Sequence, residues 1–152
     1  MAAIRPDEWN LPLFLHVLGA LVLVGALAAA VFYLFMARRE GSAVAARFGF
    51  RILAMGAIPA YLVMRISAQW LASEQGVLDS EAAWIVLGFI ATDMGVLGLL
   101  AATIAAGMVA RRASADGATA LSGRGIAIAA WLASFMILAY AVTLWAMVAK
   151  PG

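Results

Sequence analysis

The sequence predicts an all-α, polytopic membrane protein, built as a bundle of four transmembrane helices. Apolar residues make up 66% of the 152 positions and charged residues only 12%, about half the charge that soluble chains carry. The apolar residues also fall into four runs, each long enough to cross the ~30 Å hydrocarbon core as a helix. We predict a single transmembrane domain over residues 1–152, with spans at about 11–37, 52–70, 84–109 and 126–148.

The first span, residues 11–37, starts after Asn10, a residue type that favours the N-cap of a helix, and stops at Arg38. His16 is its only polar interruption. The sequence Ala26-Leu27-Ala28 would also fit a signal peptide cleaved after Ala28. A signal peptide has a basic start and a short apolar stretch, whereas this chain carries Asp7 and Glu8 near its start and its apolar run continues to residue 37. We therefore expect a span.

The second span belongs to a longer helix. Ser42 is a good N-cap, and the helix should run to about Gln75, ahead of Gly76. Its membrane part covers residues 52–70, and Pro59 should bend it near the middle.

The third span, residues 84–109, holds one ionisable residue, Asp93, and the fourth, residues 126–148, holds none. Small residues gather near one face of the third span. They let another helix approach closely, either inside the bundle or in a homodimer. These residues are Gly88, Thr92, Gly95 and Gly98.

The arginines predict the orientation, because loops on the cytoplasmic side carry an excess of basic residues. They lie beside the spans, where topology explains them better than a nucleic acid would, so we predict no nucleic-acid partner. Both termini should face outward from the inner (plasma) membrane, with Arg5 and Lys150 on that side. The tryptophans fit one outer aromatic belt. The cytoplasmic arginines would be Arg38, Arg39, Arg47, Arg51, Arg111, Arg112 and Arg124, and the belt would be Trp9, Trp70, Trp84 and Trp145.

Polar side chains of the four spans should meet at one level, in the outer half of the bilayer. At 1.5 Å per residue they lie roughly 7 to 14 Å inside the outer ends of the helices. Arg65 and Asp93 are on adjacent antiparallel spans and should pair. We call the following set the polar layer: His16, Arg65, Asp93, Tyr140 and Thr143.

Two interpretations of the polar layer stay open. Ionisable residues inside a membrane often mark function, so Arg65, Asp93, Tyr140 and Thr143 are candidates for a transport, ion or small-ligand site. Alternatively, the Arg65–Asp93 pair only fixes helix packing in an assembly or stabilising subunit, with the other polar side chains completing its hydrogen bonds. No catalytic residue is predicted, and we favour a non-enzymatic protein in contact with the lipid bilayer, as a homodimer or in a larger membrane complex.

His16 is the only histidine, and the chain has no cysteine. A lone histidine on an apolar helix is more often a hydrogen-bonded packing residue than a ligand, so no cofactor is predicted. Haem or copper at His16 remains an alternative, which would need a second ligand from a methionine or from another protomer.

The segment L-H-V-L-G-A-L-V-L-V-G-A-L at 15–27, followed by a basic turn and by I-P-A-Y-L-V-M-R at 58–65, resembles a bacterial family of four-helix integral membrane proteins of unknown function. More distantly, it is similar to the membrane domain of the copper-resistance protein CopD, which also carries a Leu-His motif in its first span. The first resemblance implies an inner-membrane four-helix protein. The second implies a metal or haem position at His16.

The orientation can be tested by labelling, since the natural chain contains no cysteine. A cysteine replacing Ser114 should react with a membrane-impermeant thiol reagent only after the cells are opened, because this loop is expected on the cytoplasmic side. Labelling of Ser114→Cys in intact cells would contradict the orientation.

Overall fold

The structure, a computed structural model, describes residues 9–76, 83–116 and 124–149. Four helices in this part of the chain are long and apolar enough to cross a membrane, which confirms the all-α, four-span fold class. Each predicted span lies inside a longer helix. The second of these long helices, Ala43–Glu74, is continuous and is divided below into α2, a π turn and α3. Arg5 and Lys150, which entered the orientation prediction, lie outside the described residues. The helices are α1 (Asn10–Glu40), α2 (Ala43–Ile52), α3 (Ile58–Glu74), α4 (Ala83–Asp116) and α5 (Arg124–Ala149).

The ends of α1 depart from the prediction at one place. The expectation that Asn10 is the N-cap is wrong: Asn10 is the first residue of the helix, and Trp9 precedes it without a side-chain cap. Pro12 suits a first turn, where its missing N–H loses no intrahelical bond. At the other end Gly41 adopts a left-handed φ of 64°, and the Ser42 N–H donates to the Ala37 carbonyl at 3.1 Å, which closes the helix in a Schellman-type turn.

The second long helix begins and ends as predicted. The Ser42 hydroxyl accepts a hydrogen bond from the Ala45 N–H at 3.2 Å, which satisfies one free donor of the first turn of α2. The helix ends at Glu74, and Gly76 follows with a φ of 64°, a conformation that glycine adopts without strain.

A π-helical turn, Leu53–Ala57, joins α2 to α3 just before Pro59. The Ile58 N–H donates to the Leu53 carbonyl, five residues earlier. Proline lacks an N–H, and its ring clashes with the carbonyl four residues before it, so a regular α-helix is disfavoured here. The irregularity expected at Pro59 therefore takes the form of a wider turn that starts at Leu53.

The helices form a ring that is tightly packed except on one side. α1 packs along α2, α3 and α5, and α4 packs along α5 and, at the basic end of the bundle, along α2. In contrast, α3 and α4 make few direct contacts. The bundle is thus loosest between α3 and α4, in the half that is distant from the arginine-rich turn.

The core has a seam with the spacing of a coiled coil. Fully buried residues of α1 recur at alternating intervals of four and three: Leu23, Leu27, Ala30, Leu34 and Ala37. Such a repeat keeps one face of each helix turned toward its neighbours. The buried positions of α4 and α5 in the same core are largely alanines, small residues that let helices pack closely. These alanines are Ala102, Ala106, Ala129, Ala130 and Ala133.

The backbones of α1 and α3 approach each other closely at Gly19. A Cβ added there would lie 2.7 Å from the backbone nitrogen of Met64, far inside van der Waals contact. Gly25, two turns further along the same helix, has nothing within 4 Å of such a Cβ. Alanine substitution at the two positions can therefore distinguish the effect of close packing, at Gly19, from the general helix preference of alanine over glycine, at Gly25.

Gly19→Ala should lower the free energy of unfolding by about 1–3 kcal/mol, the usual cost of overpacking a core. The matched control, Gly25→Ala, should be neutral or stabilise the protein by up to about 1 kcal/mol, because alanine favours a helix over glycine. Unfolding of the purified protein in detergent measures both. Equal stability of the Gly19 variant and the wild type would contradict the close approach.

Candidate functional site

The structure pairs Arg65 of α3 with Asp93 of α4. The Arg65 Nη2 lies 3.1 Å from the Asp93 Oδ1, and Nε donates to the same oxygen at 3.3 Å. The pair spans the side of the bundle where α3 and α4 have few other contacts. It is open to the surroundings, since the side chains are 26% and 56% exposed, respectively.

Two further residues hold the guanidinium group. The Arg65 Nη1 donates to the Gln69 Oε1 at 2.8 Å, and its Cζ lies 5.3 Å from the centre of the Phe89 ring, in a cation–π contact. The expectation that His16, Tyr140 and Thr143 complete the hydrogen bonds of the pair is wrong. His16 and Thr143 bond to backbone carbonyls, and the Tyr140 hydroxyl has no partner among the described residues. Gln69 follows Arg65 by four residues, and Phe89 precedes Asp93 by four. Residues with this spacing share one face of a helix, so the sequence could have identified both as neighbours of the pair.

Tyr61, one turn before Arg65, was not among the predicted residues. It is buried, and its hydroxyl donates to the Thr92 carbonyl at 3.1 Å. Thr92 directly precedes Asp93 in α4, so this bond places the Tyr61 hydroxyl beside the backbone of the ion pair. Tyr61 therefore connects the exposed ion pair to the interior of the bundle.

The Tyr140 hydroxyl is buried and has no hydrogen-bond partner among the described residues. It lies against α4, where a Cβ added to Gly95 would come 2.5 Å from it. An unsatisfied polar group in the interior costs about 1–3 kcal/mol. We call Tyr61, Thr92, Gly95 and Tyr140 the tyrosine site.

Five serine and threonine hydroxyls in the described spans find a hydrogen-bond acceptor within their own helix. Each donates to the carbonyl four residues earlier in its own helix, including Thr143, which bonds to Ala139 at 2.9 Å. The tyrosine hydroxyl is at the far end of a rigid ring and cannot make that bond, so Tyr140 depends on a group from elsewhere. The local bonds are made by Ser67, Thr92, Thr103, Ser134 and Thr143.

His16 bonds to the backbone of α3. Its Nδ1 lies 3.1 Å from the Met64 carbonyl oxygen, and because a carbonyl only accepts, Nδ1 donates this hydrogen bond. The close approach at Gly19 brings the two helices near enough for this bond. His16 thus acts as a packing residue in the structure, with one nitrogen still able to accept a hydrogen bond or ligate a metal.

The small residues of the third span are used inside the bundle. A Cβ at Gly95 would meet Tyr140, and one at Gly98 would lie 3.4 Å from the Met136 sulfur. Both neighbours belong to α5. Gly95 and Gly98 therefore face α5 and offer no free surface for the homodimer considered for this face.

The described residues contain no group of three or more His, Asp or Glu side chains that could hold a metal ion. We expect purified protein to show no Soret band, because one histidine cannot supply two imidazole ligands unless two protomers meet or another group adds the second bond. A visible absorption spectrum measures this. A Soret band that is lost in His16→Ala would overturn the expectation, and metal analysis of the same sample would detect copper.

Comparison with known proteins gives one family and no individual relative. No curated protein and no solved structure shows a significant match to the chain. A family described as predicted integral membrane protein, DUF2269, matches residues 11–151. That range includes all four long helices and every residue of the polar layer. The chain therefore belongs to the DUF2269 family of integral membrane proteins.

Proposed function

We propose that this protein binds a small polar molecule or an ion in the tyrosine site, reached from the side through the gap between α3 and α4. The observation that carries the proposal is the buried Tyr140 hydroxyl without a partner among the described residues. A bound molecule that accepts from or donates to this hydroxyl would remove the cost of leaving it unpaired.

The surroundings support such a ligand. Gly95 has no side chain, so the Tyr140 hydroxyl lies directly against α4, and the Thr92 carbonyl on the same helix accepts a hydrogen bond from a second phenol, Tyr61. The exposed Arg65–Asp93 pair bridges α3 and α4 on the side where they make few other contacts, and it provides both signs of charge. Thr143, one turn beyond Tyr140, bonds within its own helix, and its oxygen can still accept a hydrogen bond from a ligand.

A second candidate, an assembly subunit, is favoured by the exposure of Asp93. More than half of this side chain lies at the surface of a membrane-spanning helix, where a charge in contact with lipid is costly. A polar residue of a partner helix, from another copy or from another subunit of a larger membrane complex, would cover it. In this case the ion pair serves packing and assembly, and the tyrosine site is empty.

A third candidate, a CopD-like redox protein, is favoured only by His16. Its Nδ1–H to carbonyl bond is the arrangement that orients many metal-binding histidines. A second ligand would have to come from another protomer or from a methionine.

For the orientation, we propose that the basic ends of the helices face the cytoplasm, that both termini face outward, and that the bilayer is the inner membrane. The turn between α1 and α2 carries Arg38, Arg39, Arg47 and Arg51, as cytoplasmic loops do. Trp70 and Trp145 are exposed near the opposite ends of their helices, in agreement with an outer aromatic belt. The tyrosine site then lies in the outer half of the bilayer.

Tyr140→Phe separates a ligand site from a structural one. If the hydroxyl is kept for a ligand, the ligand-free variant should be as stable as the wild type or more stable by up to about 1–3 kcal/mol, because an unsatisfied group is removed. Flux of sodium, potassium or protons into proteoliposomes, or retention of a co-purifying small molecule in native mass spectrometry, should fall strongly. Tyr33→Phe, at the basic end of the bundle, is the matched control and should change neither.

Asp93→Asn and Arg65→Gln separate the ligand site from the assembly subunit. With a ligand site, both variants should stay folded and lose binding or flux. With an assembly role, they should lose stability in detergent or release a partner during purification. If both variants match the wild type in stability, flux and composition, neither candidate survives.

A further inference from the structure

A cavity of about 210 Å³ opens between α2 and α4 at the basic end of the bundle. Three of its lining residues are arginines, two from α2 and one from α4, and none of the lining residues in the described chain is acidic. The remaining lining is small or aromatic. The full lining is Arg47, Phe50, Arg51, Gly107, Ala110 and Arg111.

The helix geometry explains why the charges converge here. Arg47 and Arg51 are four residues apart and share one face of α2, and Arg111 follows Gly107 by four residues on α4. Gly107 lets the Phe50 ring rest on the α4 backbone, since an added Cβ would lie 3.0 Å from the ring. The ring therefore spaces the two helices beside the cavity that the three arginines line.

Arginines gathered at one opening favour an anion there. Arg47 has an interaction of its own within the chain, so the charges open to an anion are chiefly those of Arg51 and Arg111, and none of the six lining residues is acidic. The positive-inside tendency explains why arginines occur at this end of the bundle. It does not require that three of them from two helices surround a cavity. Arg38 and Arg39, which are equally basic, are exposed and do not line it.

We propose that this cavity binds a phosphate group. Guanidinium groups bind phosphate oxygens in pairs of charge-assisted hydrogen bonds, and basic pockets between transmembrane helices hold anionic lipid headgroups. The arginines lie where the apolar runs of α2 and α4 end, which is the level of the phosphates of a bilayer. An anionic phospholipid is the source nearest to the cavity, and free phosphate is the other source of the same chemistry.

The test uses purified full-length protein and native mass spectrometry, with phosphatidylglycerol or phosphatidylcholine added to delipidated samples. The wild type should retain phosphatidylglycerol in preference to phosphatidylcholine. Arg51→Gln/Arg111→Gln should weaken this retention by about tenfold or more, because two charge-assisted contacts are lost. The variant spares Arg47, which has an interaction of its own within the chain.

Arg38→Gln/Arg39→Gln is the matched control, because it removes the same charge from the same end without touching the cavity. It should keep the preference for phosphatidylglycerol. Equal retention by the cavity variant and the wild type, or an equal loss in the control, would overturn the proposal. If the double cavity variant fails to fold, Arg51→Gln and Arg111→Gln singly are each expected to weaken retention several-fold, and unchanged retention in both would also overturn it.

A competition with inorganic phosphate distinguishes the two sources. No displacement of phosphatidylglycerol indicates a lipid headgroup. If inorganic phosphate displaces phosphatidylglycerol from the wild type but not from Arg51→Gln/Arg111→Gln, the cavity binds soluble phosphate. Both outcomes support phosphate recognition in the cavity.

Discussion

The absence of water from the bilayer interior is the constraint on which this structure depends. Each polar group placed there must find a partner inside the protein. Most serine and threonine hydroxyls of the spans use a carbonyl of their own helix, His16 uses the Met64 carbonyl, and Arg65 and Asp93 use each other. The Tyr140 hydroxyl is the exception, because it has no hydrogen-bond partner among the described residues.

The packing of the ring is uneven on the side of α4 that faces α2 and α3. At the basic end, Phe50 rests on Gly107 and brings α2 against α4. In the other half, α3 and α4 make few contacts, and the Arg65–Asp93 pair bridges them. Apolar packing thus closes one end of this side of the bundle, and an ion pair bridges the other. An ion pair opens to a polar molecule more readily than an apolar interface does.

The continuous helix formed by α2, the π turn and α3 contributes to both proposed sites. Its first part supplies Arg47, Phe50 and Arg51 to the basic cavity, and its last part supplies Tyr61 and Arg65 to the polar side of the bundle. The π turn at Leu53–Ala57 lies between them. π turns are rare and concentrate at functional sites, because they change the direction in which the following side chains point.

The sequence by itself determined the number of spans, the cap at Ser42 and the pairing of Arg65 with Asp93, because span length, cap chemistry and opposite charges at similar depth are local properties. It could not determine which helix faces are buried. These helices are apolar all round, so hydrophobicity does not distinguish a lipid-facing side from a core-facing one. Only the tertiary structure placed the alanines of α4 and α5 in the core, set Gly95 against Tyr140, and brought arginines of two helices to one cavity, because each of these depends on how the helices are rotated toward each other.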